Sequence, residues 1–377
     1  MKFGTKLIHN GNEIDKQTGA LSIPIYQVST YHQKDIEKPP EYDYSRSGNP
    51  TRKALEDTIA KLEKGTRGFA FASGMAATSS VLSIFSSGDH LIVCEDVYGG
   101  TYRIINGYFK RFGLEVDFVD ATNLQMIEEK IKPNTRAIFL ETPSNPLLKI
   151  TDLKGAIQLA KKQDILVIVD NTFMSPYLQR PLDLGADIVI HSATKFIGGH
   201  SDVIGGLAVV KDEQLAKRIY AVQNGFGAVL GPQDSWLLLR GLKTLKVRMD
   251  YQQQSAQKLT EWLSNHPKVQ KVFYPGLAEH VGREIHFSQS DGPGCVFSFI
   301  INSVETARSF MKKIKLAAVA VSLGGVETIV SYPVKMSHAA MPKAERGRLG
   351  ISDSLLRVSV GLEDVDDLID DFRQALD

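Results

Sequence analysis

The segment HSATKFIGG (191–199) follows the apolar run Ile188-Val189-Ile190 and sets Lys195 just beyond it, between the hydroxyls of Ser192 and Thr194 and a pair of glycines. Lysine is seldom buried without a partner. An amine in such a place suits covalent chemistry, because a lysine whose ammonium deprotonates easily forms an imine with a carbonyl. Four other apolar runs end in residues of similar promise. Ser73-Gly74-Met75 follows GFAFA (68–72), Tyr98 follows HLIVC (90–94) in EDVYGGTYR, Asn145 follows RAIFLE (136–141) in ETPSNP, and Asp170 closes ILVIVD (165–170). Ser73-Gly74-Met75 is either a plain strand-to-helix turn or an anion seat made of free backbone N–H groups. Asp170 either caps the following turn or faces a protonated ring nitrogen, since a buried carboxylate needs a donor. Tyr98 is a surface aromatic or a ring that stacks on a planar ligand. Arg357, inside LLRVSVG (355–361), forms a structural ion pair or grips a carboxylate bidentately.

A phosphate seat, an acid for a ring nitrogen, an aromatic platform and an imine-forming lysine suit one small ligand, pyridoxal 5'-phosphate. Other chemistries lack their marks. The chain has no GxxxxGK[ST] loop, no GxGxxG after a strand, no HExxH or CxxC for a metal and no GxSxG elbow.

These residues share one rim only if the runs are parallel strands, because ligands of open parallel sheets bind beyond the strands' carboxyl ends. The pattern from Asn49 onward fits that requirement. Asn49 can cap and Pro50 can open a helix with Leu55, Ile59 and Leu62 on one face. After it, short β-branched runs at 68–72, 90–94, 115–119, 136–141, 165–170, 187–191 and 206–210 alternate with helical stretches. That alternation predicts an α/β fold with a mostly parallel sheet flanked by helices. Residues 1–43 read as an extended arm, 44–245 as the large cofactor-binding domain, and 246–377 as a smaller α+β domain, with a long helix from about 232 to 265.

With 377 residues and 43% apolar content the chain can bury a core without disulfides or metal. A net charge of +1 gives no support to a nucleic-acid partner or an anionic membrane. Cys94 and Cys295 lie in apolar runs and read as buried free thiols of a reducing compartment. No apolar stretch reaches the ~18 residues of a membrane span, and the first residues carry no secretory signal pattern. The expected location is the cytoplasm.

Taken together, YSRSGNPT, FASGMAA, DVYGGTYR, ETPSNP, VDNTF, HSATKFIGGHSDVIGG and SLGGVET resemble the cysteine and methionine metabolism family of fold-type I pyridoxal-phosphate enzymes, from about Ile8 to the end of the chain. The resemblance implies that Lys195 carries the cofactor as an imine and moves protons. It implies that Asp170 pairs with the pyridine nitrogen and that Tyr98 stacks on the ring. Gly74, Met75, Ser192 and Thr194 would hold the phosphate, and Tyr44 and Arg46 would reach the phosphate of a neighbouring subunit's cofactor. Asn145, Ser322 and Arg357 would bind the amino-acid end of the substrate. The active unit would then be at least a dimer, and the family is usually tetrameric.

Within the family, Gly100 stands where methionine γ-lyases usually carry cysteine. Val321 stands where cystathionine γ-lyases and γ-synthases usually carry glutamate. The stretch Leu147 to Leu153 is most similar to bacterial cystathionine γ-lyases. The resemblance therefore implies a carbon–sulfur lyase that cleaves a small sulfur amino acid, cystathionine, by γ-elimination, with β-elimination on relatives of it and with Val321 loosening the choice. The alternative on the same scaffold is a cystathionine γ-synthase or O-acylhomoserine sulfhydrylase.

Overall fold

In the computed structural model of the chain, which describes every residue except Asn12 and Ala340, Asn49 accepts hydrogen bonds from the N–H groups of Thr51 and Arg52 at 3.0 and 3.3 Å. Its cap and Pro50 start the helix Pro50–Glu63, whose Leu55, Ile59 and Leu62 are buried. The first sheet follows, with β1 (Arg67–Phe71), β2 (His90–Cys94), β3 (Glu115–Val119), β4 (Thr135–Glu141), β5 (Leu166–Asp170), β6 (Ile188–Ser192) and β7 (Gly206–Val210). Their order is β1-β7-β6-β5-β4-β2-β3.

The pairings β3–β2–β4–β5–β6 are parallel, whereas β7 runs antiparallel to both β6 and β1. No helical crossover separates β6 from β7. The chain simply turns back through 193–205, and a strand that returns without a crossover must run antiparallel. Helices cover both faces, and the central strands are buried along their length, which is why they read as unbroken apolar runs.

A second sheet is built from β8 (Val269–Phe273), β9 (Val296–Ile301), β10 (Ala318–Val319), β11 (Ile329–Ser331) and β12 (Leu355–Ser359), in the order β10-β11-β12-β9-β8. Phe299, Phe310 and Phe372 pack together in the core behind it, Phe310 edge-on to the other two rings. The helix Pro232–Ser264 joins the two halves. Residues 245 and 246, where the sequence suggested a division, lie inside this helix. Its buried Leu242, Leu245 and Met249 belong to the first core, and Ala256, Leu259 and Leu263 to the second.

The arm is not wholly extended. Phe3–His9 forms a short helix that buries Leu7. Beyond it, Ile14, Leu21 and Ile36 stand exposed. Cys94 and Cys295 are both free and buried.

Candidate active site

The carboxyl ends of β4, β5 and β6 lie side by side, with Glu141 in register with Asp170 and Asp170 with Ile190. Above them opens a cavity of about 450 Å³. Lys195 enters it from the loop after β6, and its Nζ donates to Ser322 Oγ at 2.5 Å. Among the described residues no carboxylate reaches salt-bridge distance of this amine. Burial, helped by the nearby Arg357, lowers it to about 8. Two glycines set its height. A Cβ at Gly324 would lie 2.6 Å from the nitrogen of Phe196, and one at Gly241 would lie 2.4 Å from the oxygen of Gly198, so both neighbours press directly on the main chain around the lysine. Ser322 itself sits at φ +84°, in the left-handed region. That strain is held by the surrounding contacts at the residue that meets the amine.

Asp170 faces the same cavity. Its Oδ1 accepts from the backbone N–H of Thr172 at 3.1 Å and from Thr172 Oγ1 at 2.5 Å, while Oδ2 has no partner among the described residues. Oδ1 caps the turn, which meets the first of the two readings of Asp170, and leaves Oδ2 without a protein partner among the described residues. Burial raises its carboxyl, opposed by Thr172 and by His191, which is paired with buried Glu63 at 2.7 Å behind the strand.

At the other end, Ser73 caps the helix Gly74–Leu82 by accepting from Ala76 N–H at 3.0 Å. A Cβ on Gly74 would stand 2.8 Å from Ser192 Oγ, so glycine lets the helix start lie against that hydroxyl. Met75 and Thr194 complete this corner, Thr194 Oγ1 accepting from Gly205 N–H at 3.1 Å.

Arg357 comes from the middle of β12 in the second sheet. It donates to Asn145 Oδ1 at 3.1 Å, to the Ser322 carbonyl at 2.6 Å and to Ser331 Oγ at 3.0 Å. Among the described residues it is buried without a salt bridge, and its Nε has no partner. The structural ion pair is therefore not formed among the described residues, and the guanidinium is held by neutral acceptors. Tyr98 and Val321 stand at the mouth, 42% and 65% exposed. Gly100 is there because a Cβ would come within 2.4 Å of Tyr98 Cε1 and 2.7 Å of Met75 Sδ.

Tyr44 and Arg46 lie outside this cavity. Arg46 donates to the Asn224 carbonyl at 2.7 Å and to its Oδ1 at 3.1 Å, and stacks over the Tyr44 ring, which is 45% exposed. The lining residues not singled out from the sequence include three polar ones with a bearing on the chemistry, Glu141, Thr172 and Arg103. Glu141 opens ETPSNP at the end of a strand, so the rule that selected Asp170 would have found it. Thr172 was signalled only by the DNTF turn. Arg103 lies five residues beyond Tyr98 and, among the described residues, its guanidinium makes no ion pair or hydrogen bond.

The donor set fits pyridoxal phosphate: open N–H groups and hydroxyls at one corner for a phosphate, a free Asp170 oxygen for the ring nitrogen, and a deprotonable amine between them. The chain matches the family model for Cys/Met metabolism PLP-dependent enzymes over residues 4–377. It is 58% identical over 372 residues to the cystathionine beta-lyase MetC of Bacillus subtilis (strain 168), covering 99% of this chain and 95% of that protein. It is 52% identical over 377 residues to the cystathionine gamma-lyase of the same organism, covering 100% of both. The crystal structure of cystathionine gamma-lyase from Lactobacillus plantarum complexed with L-serine superposes with a TM-score of 0.97 at 48% identity, covering 100% of this chain and 98% of that one. The chain belongs to the cysteine and methionine metabolism family of pyridoxal-phosphate-dependent, fold-type I enzymes.

Proposed function

We propose that this enzyme is a carbon–sulfur lyase of the trans-sulfuration pathway that cleaves cystathionine by γ-elimination to cysteine, 2-oxobutanoate and ammonia. The observation that carries the reading is the pairing of an unpaired, easily deprotonated Lys195 with a buried Arg357 that lacks a carboxylate, in one cavity. Arg357, steadied by Asn145 and the Ser322 carbonyl, takes the α-carboxylate of the substrate and so directs its Cα toward Lys195. Bound pyridoxal phosphate supplies the electron sink that makes the Cα proton acidic. Gly74, Met75, Ser192 and Thr194 would hold its phosphate and Asp170 its ring nitrogen. Lys195 Nζ removes the Cα proton, gives it up, and then removes a Cβ proton, whose bonding pair becomes the Cβ–Cγ double bond as the Cγ–S bond breaks onto sulfur; Ser322 Oγ keeps that nitrogen oriented between transfers. Tyr98 would stack over the ring, and its hydroxyl at the mouth would pass a proton to the departing sulfur. Cystathionine carries a second amino-acid end, and the unpaired Arg103 at the mouth suits its carboxylate. Val321 offers that end no charge, which widens the choice to substrates such as homocysteine.

A second reading, β-elimination to homocysteine, pyruvate and ammonia, is favoured by the 58% identity to a protein named cystathionine beta-lyase. Product analysis with cystathionine separates the two: cysteine with 2-oxobutanoate supports γ-elimination, and homocysteine with pyruvate replaces it by β-elimination. Cystathionine formed only from an O-acylhomoserine and cysteine, with no cleavage, makes the enzyme a synthase instead. In the same assay Val321→Glu should raise the ratio of kcat/KM for cystathionine over homocysteine, and an unchanged ratio removes Val321 from substrate choice.

The active unit is at least a dimer, and a tetramer is the expected assembly. Tyr44 and Arg46 do not line the chain's own cavity, and the arm just before them exposes Ile14, Leu21 and Ile36. The cytoplasm is the expected location, since two buried free thiols suit a reducing compartment.

A further inference from the structure

Glu141 ends β4 beside Asp170 and lines the cavity, yet the mechanism above gives it no task. It is only 6% exposed. No cation pairs with it among the described residues. Burial, and then the neighbouring Asp170, push its carboxyl well above the usual carboxylate range. Its Oε2 accepts one hydrogen bond, from the backbone N–H of Tyr98, at 2.8 Å.

That bond spans the gap between the sheet and the helix Gly99–Gly107, which has no side-chain cap of its own. Tyr98 needs such an anchor. Its ring is largely exposed, and its hydroxyl makes no hydrogen bond among the described residues. Gly100 leaves open the space that the ring occupies but does not hold it there. The same helix also carries Arg103, which lines the cavity.

We infer that Glu141 is a positioning residue for the reaction: by accepting the Tyr98 N–H it fixes the stacking ring, and the helix behind it, against the end of β4. The inference rests on the lyase reading only in assigning Tyr98 its place over the cofactor. A group that must accept one N–H while standing beside Asp170 is best neutral. An amide oxygen meets the same requirement, whereas a methyl leaves a buried N–H without a partner.

The test uses the holoenzyme. Glu141→Ala should lower kcat by about 10- to 100-fold, as displacements near an ångström do, with KM changed by less than about threefold. It should also at least halve the visible circular dichroism of the bound cofactor, which reports the asymmetric stacking of the ring. Glu141→Gln should recover most of both losses. In a Tyr98→Ala background, Glu141→Ala should change kcat by less than about threefold, because the two act through one contact. Glu141→Leu serves where Glu141→Ala does not fold. Three results overturn the inference: wild-type dichroism and kcat in Glu141→Ala, a Glu141→Gln variant as impaired as Glu141→Ala, or fully additive losses with Tyr98→Ala. A lower Tm with the cofactor signal intact marks a purely structural role and also overturns it. If the wild-type enzyme does not cleave cystathionine, the lyase reading fails, while the dichroism of the Glu141 variants still judges this one.

Discussion

The surroundings of Lys195 make its protonation costly, which suits the amine to the proposed chemistry. Burial comes first and Arg357 second, and together they bring the amine to about 8 from an ordinary 10.5. In the cofactor-free protein this has a measurable sign. Between about pH 8 and 10.5 the unfolded chain keeps the proton that the folded chain has lost, so stability rises with pH across that window. Below about pH 8 the buried ammonium costs on the order of 3 kcal/mol, because each tenfold loss of proton affinity is worth ~1.4 kcal/mol. Lys195→Met should therefore stabilise the cofactor-free protein at pH 7 by up to about 3 kcal/mol, and the advantage should shrink by pH 10. Denaturant titration of both proteins at the two pH values checks this. An advantage that does not change with pH would mean that the amine is not held neutral.

At the scale of elements, the site is assembled from strand ends and from helix starts that crowd them. Glycines permit the closest approaches. Gly206 has the Ser73 oxygen 2.1 Å from its would-be Cβ, and Gly74 has Ser192 Oγ at 2.8 Å, which brings β7 and the helix Gly74–Leu82 onto the rim. Gly100 does the same for the Tyr98 ring. Gly100→Ala should push that ring aside and lower kcat/KM for cystathionine about tenfold or more. Its effect on Tm should stay small, because the added methyl meets side-chain atoms of the partly exposed Tyr98 and of the flexible Met75 rather than backbone. Steady-state kinetics with a melting curve decide it: a variant with unchanged kinetics would show that the ring has room to spare. The cap at Asn49 works at longer range. Beyond holding the helix Pro50–Glu63, its Nδ2 donates to the Tyr26 carbonyl at 2.8 Å and ties the arm to the large domain.

At the scale of the molecule, two sheets contribute to one cavity, and the proposed assembly would bring in a second chain. If Arg46 serves the neighbouring subunit's phosphate, then Arg46→Ala and Lys195→Ala damage different sites of a mixed dimer. Mixing the two inactive variants after dissociation should restore roughly a quarter of wild-type activity, since about half of randomly paired dimers are hybrids with one intact site of two. Activity assays on refolded mixtures test this, and no recovery in proven hybrids would confine each site to one chain.

Much of this was legible in the sequence. The apolar runs marked the strands of the first sheet, and the rule that ligands sit beyond carboxyl ends of parallel strands placed Ser73, Asp170, Ser192, Thr194 and Lys195 on one rim. Those signals are local, so a single sequence carries them. The mixed direction of β7 was not legible, because nothing in GLAVV tells which way a strand runs. Nor were the short strands β8, β10 and β11, where VQKVF is half polar and Ala318–Val319 spans two residues. The second sheet's share of the site was hidden for the same kind of reason. Arg357 meets Asn145 across 212 positions of chain, and Ser322 takes a left-handed backbone that its residue type does not announce. Residue types along the chain thus determined which groups could hold the cofactor. Which of them face one another, which are desolvated, and which, like Glu141, exist to hold another in place, depends on strand register and on packing between distant segments. Only the tertiary structure decided those.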